Sequence, residues 1–531
     1  VEVAREDISL LEALREDLGV RAVKDGCSPQ GQCGCCTVLV DGSARVACVT
    51  PLRRVVGRAV TTVDGLPAEQ RDWLVASFVA HGASQCGFCT PGIVCRLAAL
   101  GSGPPAPRPA ARVESALLAH LCRCTGWRSI VAAATSPGAA ASGSGAAVSV
   151  GASARATIEG GTPQRTGDDM VLGRGGFADD HPPPGCLVAV PVAGGDPASV
   201  EGWALGETLA AARAGAGNVQ GRRSGQALAY PVDVPPGEWD ITLQTTWVEP
   251  AYLEPDASWC EPGGPPASPV ANGGAFGGKL GSVAPGAARM LADHLDQPVR
   301  VLLSREDVVR LGPKRPPVGA GVRLDGTGVL RLGASVDLVR TATAIGAFRT
   351  QSTEAAPRIA VEAVPVVGPA VSADIRAAGW AEAAILDAVA AAVSGGVRDV
   401  TVSTVEGAAA SAVVELDASG WPAGVHVEAQ AGDPLDETVL RSYVQGAAHM
   451  ALGWVLSEGI AVDADGRPTD LTIRSFGILR AKDTPPIEVI VAPATGPAVK
   501  VSDAVFAAVA AAAWLAQGLP SRWPTMRGTR R

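Results

Sequence analysis

The 531 residues, 47% of them apolar, suffice for two to four packed domains rather than one. A formal charge of −9 excludes a generally basic nucleic-acid surface, and no run reaches the ~18–20 apolar residues of a membrane-spanning helix. Gly and Pro, 64 and 41 residues, stay below the roughly 25–30% share of low-complexity chains, so a loop-rich folded protein is expected.

In chain order, the first feature is a crowd of thiols. Ten of the twelve cysteines precede residue 125. A secreted disulfide scaffold would be short and evenly stapled, and the acidic N-terminus carries no signal-peptide pattern, so these thiols read as metal ligands. A cytoplasmic location is expected, although the first residue, Val1, leaves a removed leader open. The stretch G-C-S-P-Q-G-Q-C-G-C-C places Cys27, Cys33 and Cys36 close together, with Cys48 further on. Plant-type [2Fe–2S] sites use a C-x4-C-x2-C run with a remote fourth Cys. Here the first gap is one residue longer and the second spacing is kept. Gly26, Gly31 and Gly34 let the loop wrap a cluster with its N–H groups toward sulfur. Thr37 to Val40, an Asp41-Gly42 turn and a second strand carrying Cys48 predict a β-grasp-like unit.

The second group is Cys86 and Cys89 in Q-C-G-F-C-T-P-G, with Cys122 and Cys124 in L-C-R-C-T-G-W. Helices are expected over Ile93–Leu100 and Ser129–Ala134, opened by Thr90-Pro91 and Thr125-Gly126, so that helix N-termini face an anionic cluster. On spacing alone, two close pairs also match structural zinc. Cys35 reads as a non-ligand, Cys95 as core, and Cys186 and Cys260 as bystanders.

The Q-C-G-F-C-T-P-G and C-R-C-T-G-W pair resembles the two-cluster iron–sulfur part of the molybdenum hydroxylases, the xanthine dehydrogenase and aldehyde oxidase family. The resemblance implies a [2Fe–2S] cluster at each cysteine set and a pterin contact at Gln85. An Ala/Gly/Ser-rich connector follows. Beyond it, patches resemble the family's molybdopterin-binding subunit in family order: G-R-G-G-F-A-D-D (173–180), W-V-E-P-A-Y-L-E-P-D-A (247–257), N-G-G-A-F-G-G-K (272–279), S-R-E-D (304–307) and V-Q-G-A-A-H-M-A-L-G-W-V-L-S-E (444–458).

This implies an α+β chain. A β-grasp [2Fe–2S] ferredoxin-like domain covers 1–66, a four-helix [2Fe–2S] domain 67–135, a linker 136–158, and a shortened α+β molybdopterin-binding region 159–531. The cofactor contacts would be Gln85, Gly273, Gly274, Ala275, Phe276, Gly277, Gly278, Gln445, Gly446 and Ala447. The glycine loop also matches the start of a phosphate-binding P-loop, but Leu280 stands where that motif needs Ser or Thr.

The implied reaction oxidises an aldehyde or N-heterocycle with water as the oxygen source. Electrons then pass through two [2Fe–2S] clusters to an external acceptor, such as a separate flavin subunit, since no Rossmann fingerprint is present. A homo- or hetero-oligomer is compatible with this. The family's glutamate base has no direct match. Asp503 in V-K-V-S-D-A-V-F is the nearest carboxylate, with a plain helix cap as its bland alternative, and Glu458 and Glu488 come next. Arg376 is favoured over Arg349 to orient substrate, because an Ala-rich helix follows it. The other reading is an electron-transfer or assembly partner that keeps its clusters and has a degenerate molybdopterin half.

Overall fold

The computed structural model describes residues 5, 7–101, 108–136, 150–217, 225–268, 273–335, 356, 358–493 and 496–527. In the N-terminal part, Thr37–Val40 pairs antiparallel with Ser43–Val46 across Asp41-Gly42, both at positive φ, the backbone a tight hairpin needs. Val60–Thr61 adds a third strand on the other side. Cys48 is not on the second strand. That strand stops at Val46, and Cys48 lies in the one-turn 3-10 helix Ala47–Val49, where its N–H reaches Cys36 Sγ at 3.4 Å. An extended strand would aim alternate side chains away from the loop, whereas the turn brings this thiol back over it.

Four helices follow among the described residues up to 136: Ala68–Ala80, Thr90–Ala98, Ala110–Ala116 and Arg128–Thr135. Residues 137–149 of the expected linker lie outside the described residues. Its C-terminal part is helical, in Val150–Gly160, rather than a connector. A buried Arg155–Glu159 pair at 3.1 Å, four residues apart, ties this helix down.

The second half holds three four-stranded sheets among the described residues. Their orders are Trp203–Gly206, Leu187–Pro191, Val299–Leu302, Ala257–Cys260; then Ile359–Val366, Gly328–Ser335, Val318–Val322, Ile241–Gln244; and Val400–Ser403, Ala409–Leu416, Pro422–Gln430, Ile487–Val491. The helices Trp380–Gly395, Glu437–Leu456 and Ser502–Ala516 join the last two sheets in one core. Ser502–Ala516 is Ala-rich and apolar all round, which fits a helix buried on every side. The cysteine-bearing part does not stand apart. Its core continues into Phe177, Trp247, Leu253, Ile460 and Phe476 of the second half.

Candidate functional site

All eight candidate cysteine ligands are buried. In the first set, Cys27 is a hydrogen-bonding neighbour of Cys33 and Cys48, and Cys48 of Cys36. Cys35 sits against Cys33, on the flank of that set. In the second set, Cys86 and Cys124 sulfurs lie 3.4 Å apart, and Cys89 neighbours Cys122. Among the described residues, no group of three or more His, Cys, Asp or Glu is arranged to hold a metal ion. The second-set sulfurs come instead in pairs, one from each motif. Two thiolates per iron is what a binuclear cluster requires, so this donor set fits [2Fe–2S] better than one tetrahedral zinc. Cys95 is core, as expected, and burial pushes its thiol up to about 12.

The loops around the second set are held by backbone contacts that only glycine permits. A Cβ on Gly446 would stand 1.8 Å from the Cys124 carbonyl oxygen, and one on Gly126 2.4 Å from that of Gln445. Helix Glu437–Leu456 therefore rests directly on the C-R-C-T-G loop. Gln85 bridges the two, its Nε2 donating to Cys124 O at 2.9 Å and Ser442 Oγ at 3.0 Å. Gln445 is half-buried and Ala447 buried on the same helix.

One turn beyond Gly446, Met450 Sδ lies 3.3 Å from Arg376 Nη2. Arg376, at φ +48, opens a strained loop whose N–H donates to Phe276 O at 2.9 Å. Its guanidinium covers the Phe276 ring at 3.6 Å. A Cβ on Gly277 would stand 1.8 Å from Asp374 O, and one on Gly278 2.8 Å from Pro250. The glycine loop is thus clamped between the Glu-Pro segment and the arginine loop. Lys279 is buried on Glu254 at 2.7 Å, an anchor and not a phosphate lysine. Gly273 and Gly274 belong to the 3-10 turn Gly273–Ala275, while Asn272 and Arg349 lie outside the described residues.

Asp503 lies in the first turn of Ser502–Ala516, 3.4 Å from Arg376 and 2.6 Å from Lys500. Burial would raise its pKa, but Lys500 and Arg376 outweigh that and hold it below the usual range. Burial draws Arg376 down to about 10, against the pull of Asp503. The two fallback carboxylates are elsewhere engaged. Glu458 forms a bidentate, buried pair with Arg123 at 2.5 and 2.7 Å, and Glu488 is exposed beside His426.

Three polar groups missing from the sequence reading shape this region: Glu159 at the start of the last helix, Lys500 beside Asp503, and Arg123 between two ligand candidates. Only the i, i+4 spacing of Arg155 and Glu159 could have signalled the first. A bound cofactor finds open partners here. Gln85 Oε1, Arg376 Nε and Ser502 Oγ are buried with no hydrogen-bond partner among the described residues. With the side-chain-free loop at Gly274, Gly277 and Gly278, they fit a phosphate-bearing pterin.

Residues 62–135 match the family described as "[2Fe-2S] binding domain". A "Probable xanthine dehydrogenase" subunit of Bacillus subtilis (strain 168) is 37% identical over 125 residues, which are 24% of this chain and 71% of that protein. The "Aldehyde oxidoreductase" of Megalodesulfovibrio gigas is 41% identical over 125 residues, 23% of this chain but only 14% of that protein. The solved aldehyde oxidoreductase from Desulfovibrio gigas superposes with a TM-score of 0.71 at 14% identity, over 98% of this chain and 97% of that one, a likeness of fold.

Proposed function

The chain belongs to the molybdenum hydroxylase family of xanthine dehydrogenase and aldehyde oxidoreductase, and from that premise we propose that it oxidises an aldehyde or N-heterocycle with water as the oxygen donor. One observation supports this above the others. Gln85, the glycine loop, Arg376 and Asp503 come from segments up to 418 residues apart, yet they are linked through helix Glu437–Leu456 and mutual contacts. A chain kept for electron transfer alone would not need the last three.

In this reading Cys27, Cys33, Cys36 and Cys48 hold one [2Fe–2S] cluster, and Cys86, Cys89, Cys122 and Cys124 the other. Gln85, the 273–278 loop and the Gln445-Gly446-Ala447 turn would hold the molybdopterin. When bound, that cofactor supplies the two-electron oxidant, and the clusters pass the electrons on singly.

The protein's own part is positioning and proton movement. Asp503 Oδ2 is held by Lys500 at 2.6 Å and Oδ1 by Arg376 at the longer distance of 3.4 Å, so Oδ1, the less tightly held oxygen, would receive the proton leaving the attacking water. Arg376 orients the substrate through its guanidinium, which Phe276 keeps flat against the loop. Electrons leave to an external acceptor on another chain or in solution. Among the described residues no helix is long and apolar enough to cross a membrane.

The test is metal analysis followed by turnover in labelled water with an artificial acceptor. Iron and molybdenum together, with label in the product, support the reading. Iron without molybdenum and no turnover would favour the electron-transfer or assembly role.

A further inference from the structure

Cys122 has a neighbour that the other candidate ligands lack. Its Sγ lies 3.2 Å from the hydroxyl Oγ1 of Thr125, and the backbone N–H groups of Cys124 and Thr125 also donate to it. In the first set the sulfurs meet backbone donors, Gln32 N to Cys27 Sγ and Cys48 N to Cys36 Sγ, each at 3.4 Å. Among the described residues, no other candidate ligand sulfur has a hydroxyl partner.

Thr125 is 1% exposed, and among the described residues Cys122 Sγ is the hydrogen-bond partner of its hydroxyl. The loop around it is clamped. Gly126 rests against Gln445 O, and the Trp127 indole donates to Leu479 O at 3.1 Å. Between a thiol and a hydroxyl either group can donate. A thiolate bound to iron has no proton, so there the hydroxyl must donate. Donation to an anionic acceptor is stronger than to a neutral one. It therefore favours the reduced cluster, which carries one more negative charge, and hydrogen bonds to sulfur are among the levers that set cluster potentials.

We propose that Thr125 tunes the second cluster: its hydroxyl raises the reduction potential, so the cluster more readily accepts electrons from the cofactor side, where Gln85 joins Cys124. Each electron gained by the cluster is one lost by the reduced cofactor, and no proton need move at the sulfur. This rests on the reading that Cys86, Cys89, Cys122 and Cys124 hold a [2Fe–2S] cluster, but not on which substrate is oxidised.

The experiment is a redox titration of the full chain with dithionite, followed by EPR, the second cluster being the one whose signal Cys89→Ala removes. Thr125→Val keeps the shape and removes the donor. We expect its second cluster to be about tenfold harder to reduce, about 59 mV for one electron, with the first cluster unchanged. Thr125→Ser, which keeps the hydroxyl, should restore the parent potential. An unchanged potential in Thr125→Val, an equal shift in both clusters, or a Thr125→Ser variant that behaves like Thr125→Val overturns the proposal. So does loss of the second signal in both Thr125→Val and Thr125→Ala, because the hydroxyl would then hold the loop rather than tune the cluster. A parent chain without iron removes the ligand reading and this proposal together, whereas iron with an unshifted potential removes this proposal alone. The titration needs no molybdenum and no turnover, so a chain that holds both clusters but oxidises no substrate refutes the proposed activity and leaves the role of Thr125 standing.

Discussion

Glu159 accepts the backbone N–H of Ser502 at 3.0 Å and that of Val501 at 3.2 Å, so a carboxylate from helix Val150–Gly160 caps the helix that presents Asp503. The free N–H groups of a first turn favour negative charge, and here the charge comes from about 340 residues upstream in sequence. Arg155 completes the device, pairing with Glu159 and donating to Val499 O at 2.8 Å.

Glu159→Ala should therefore cost more than a lost cap. It strands a fully buried guanidinium, for which about 3–5 kcal/mol is usual. A clear fall in Tm by circular dichroism is expected, with Glu159→Gln between the two because an amide oxygen can still accept one N–H. An Ala variant as stable as the parent would show that the last helix is held by packing alone.

Gly446→Ala tests the seating of the second half on the second cysteine set. The added methyl group meets the backbone carbonyl of Cys124, which no side-chain rotation relieves. Iron should drop from about four per chain toward about two, with one of two [2Fe–2S] EPR signals lost, as in Cys89→Ala. Two intact signals in Gly446→Ala would mean that helix Glu437–Leu456 can move off the loop without disturbing it.

The cysteine sets were legible because thiol ligands carry their chemistry in spacing. The hairpin at Asp41-Gly42 and the Ala-rich helix at Ser502 were legible from local residue preference. Cys48 was misplaced by one element, since nothing in V-A-C-V-T distinguishes a strand from a 3-10 turn that loop packing imposes. Helix Val150–Gly160 was missed in part because its Gly, Ser and Thr content weakens the periodic signal, and its anchor, Glu159 on the amides of Val501 and Ser502, is entirely non-local. The meeting of Arg376 with Asp503 could be guessed only from the resemblance, because no local rule relates residues 127 apart.

The pH behaviour of Asp503 follows from its surroundings. Burial would raise its pKa, but Lys500 first and Arg376 second lower it below the ordinary 3.8. A carboxylate held down in the folded state adds stability that is complete above pH 3.8 and lost as pH falls through the lower folded value. As a base it stays deprotonated over the same range, so its acid limb in turnover lies below pH 3.8. Lys500→Met removes the nearest cation and should move that limb upward. A parent profile with an acid limb near about pH 6 would assign the proton to another group.

The decisive variant is Asp503→Asn. The amide keeps the size of the carboxylate but cannot take up a proton, and Lys500, which is partly exposed, loses its partner at little structural cost because water can replace it. Arg376 loses the charge of its partner but the amide oxygen can still accept its N–H, and it stays packed on Phe276 and against Met450 Sδ, so the pocket should hold its shape at some cost in stability. Iron and molybdenum content are therefore expected to match the parent, while turnover of an aldehyde or N-heterocycle falls by roughly 10²–10⁴-fold, the usual worth of a positioned general base. Because Arg376 still engages the substrate, the loss should appear in kcat far more than in KM. Full turnover in this variant would return Asp503 to the role of a helix-start residue held by Lys500 and Arg376. The proton acceptor would then have to be sought among groups that neither Arg123 nor an exposed histidine has already engaged.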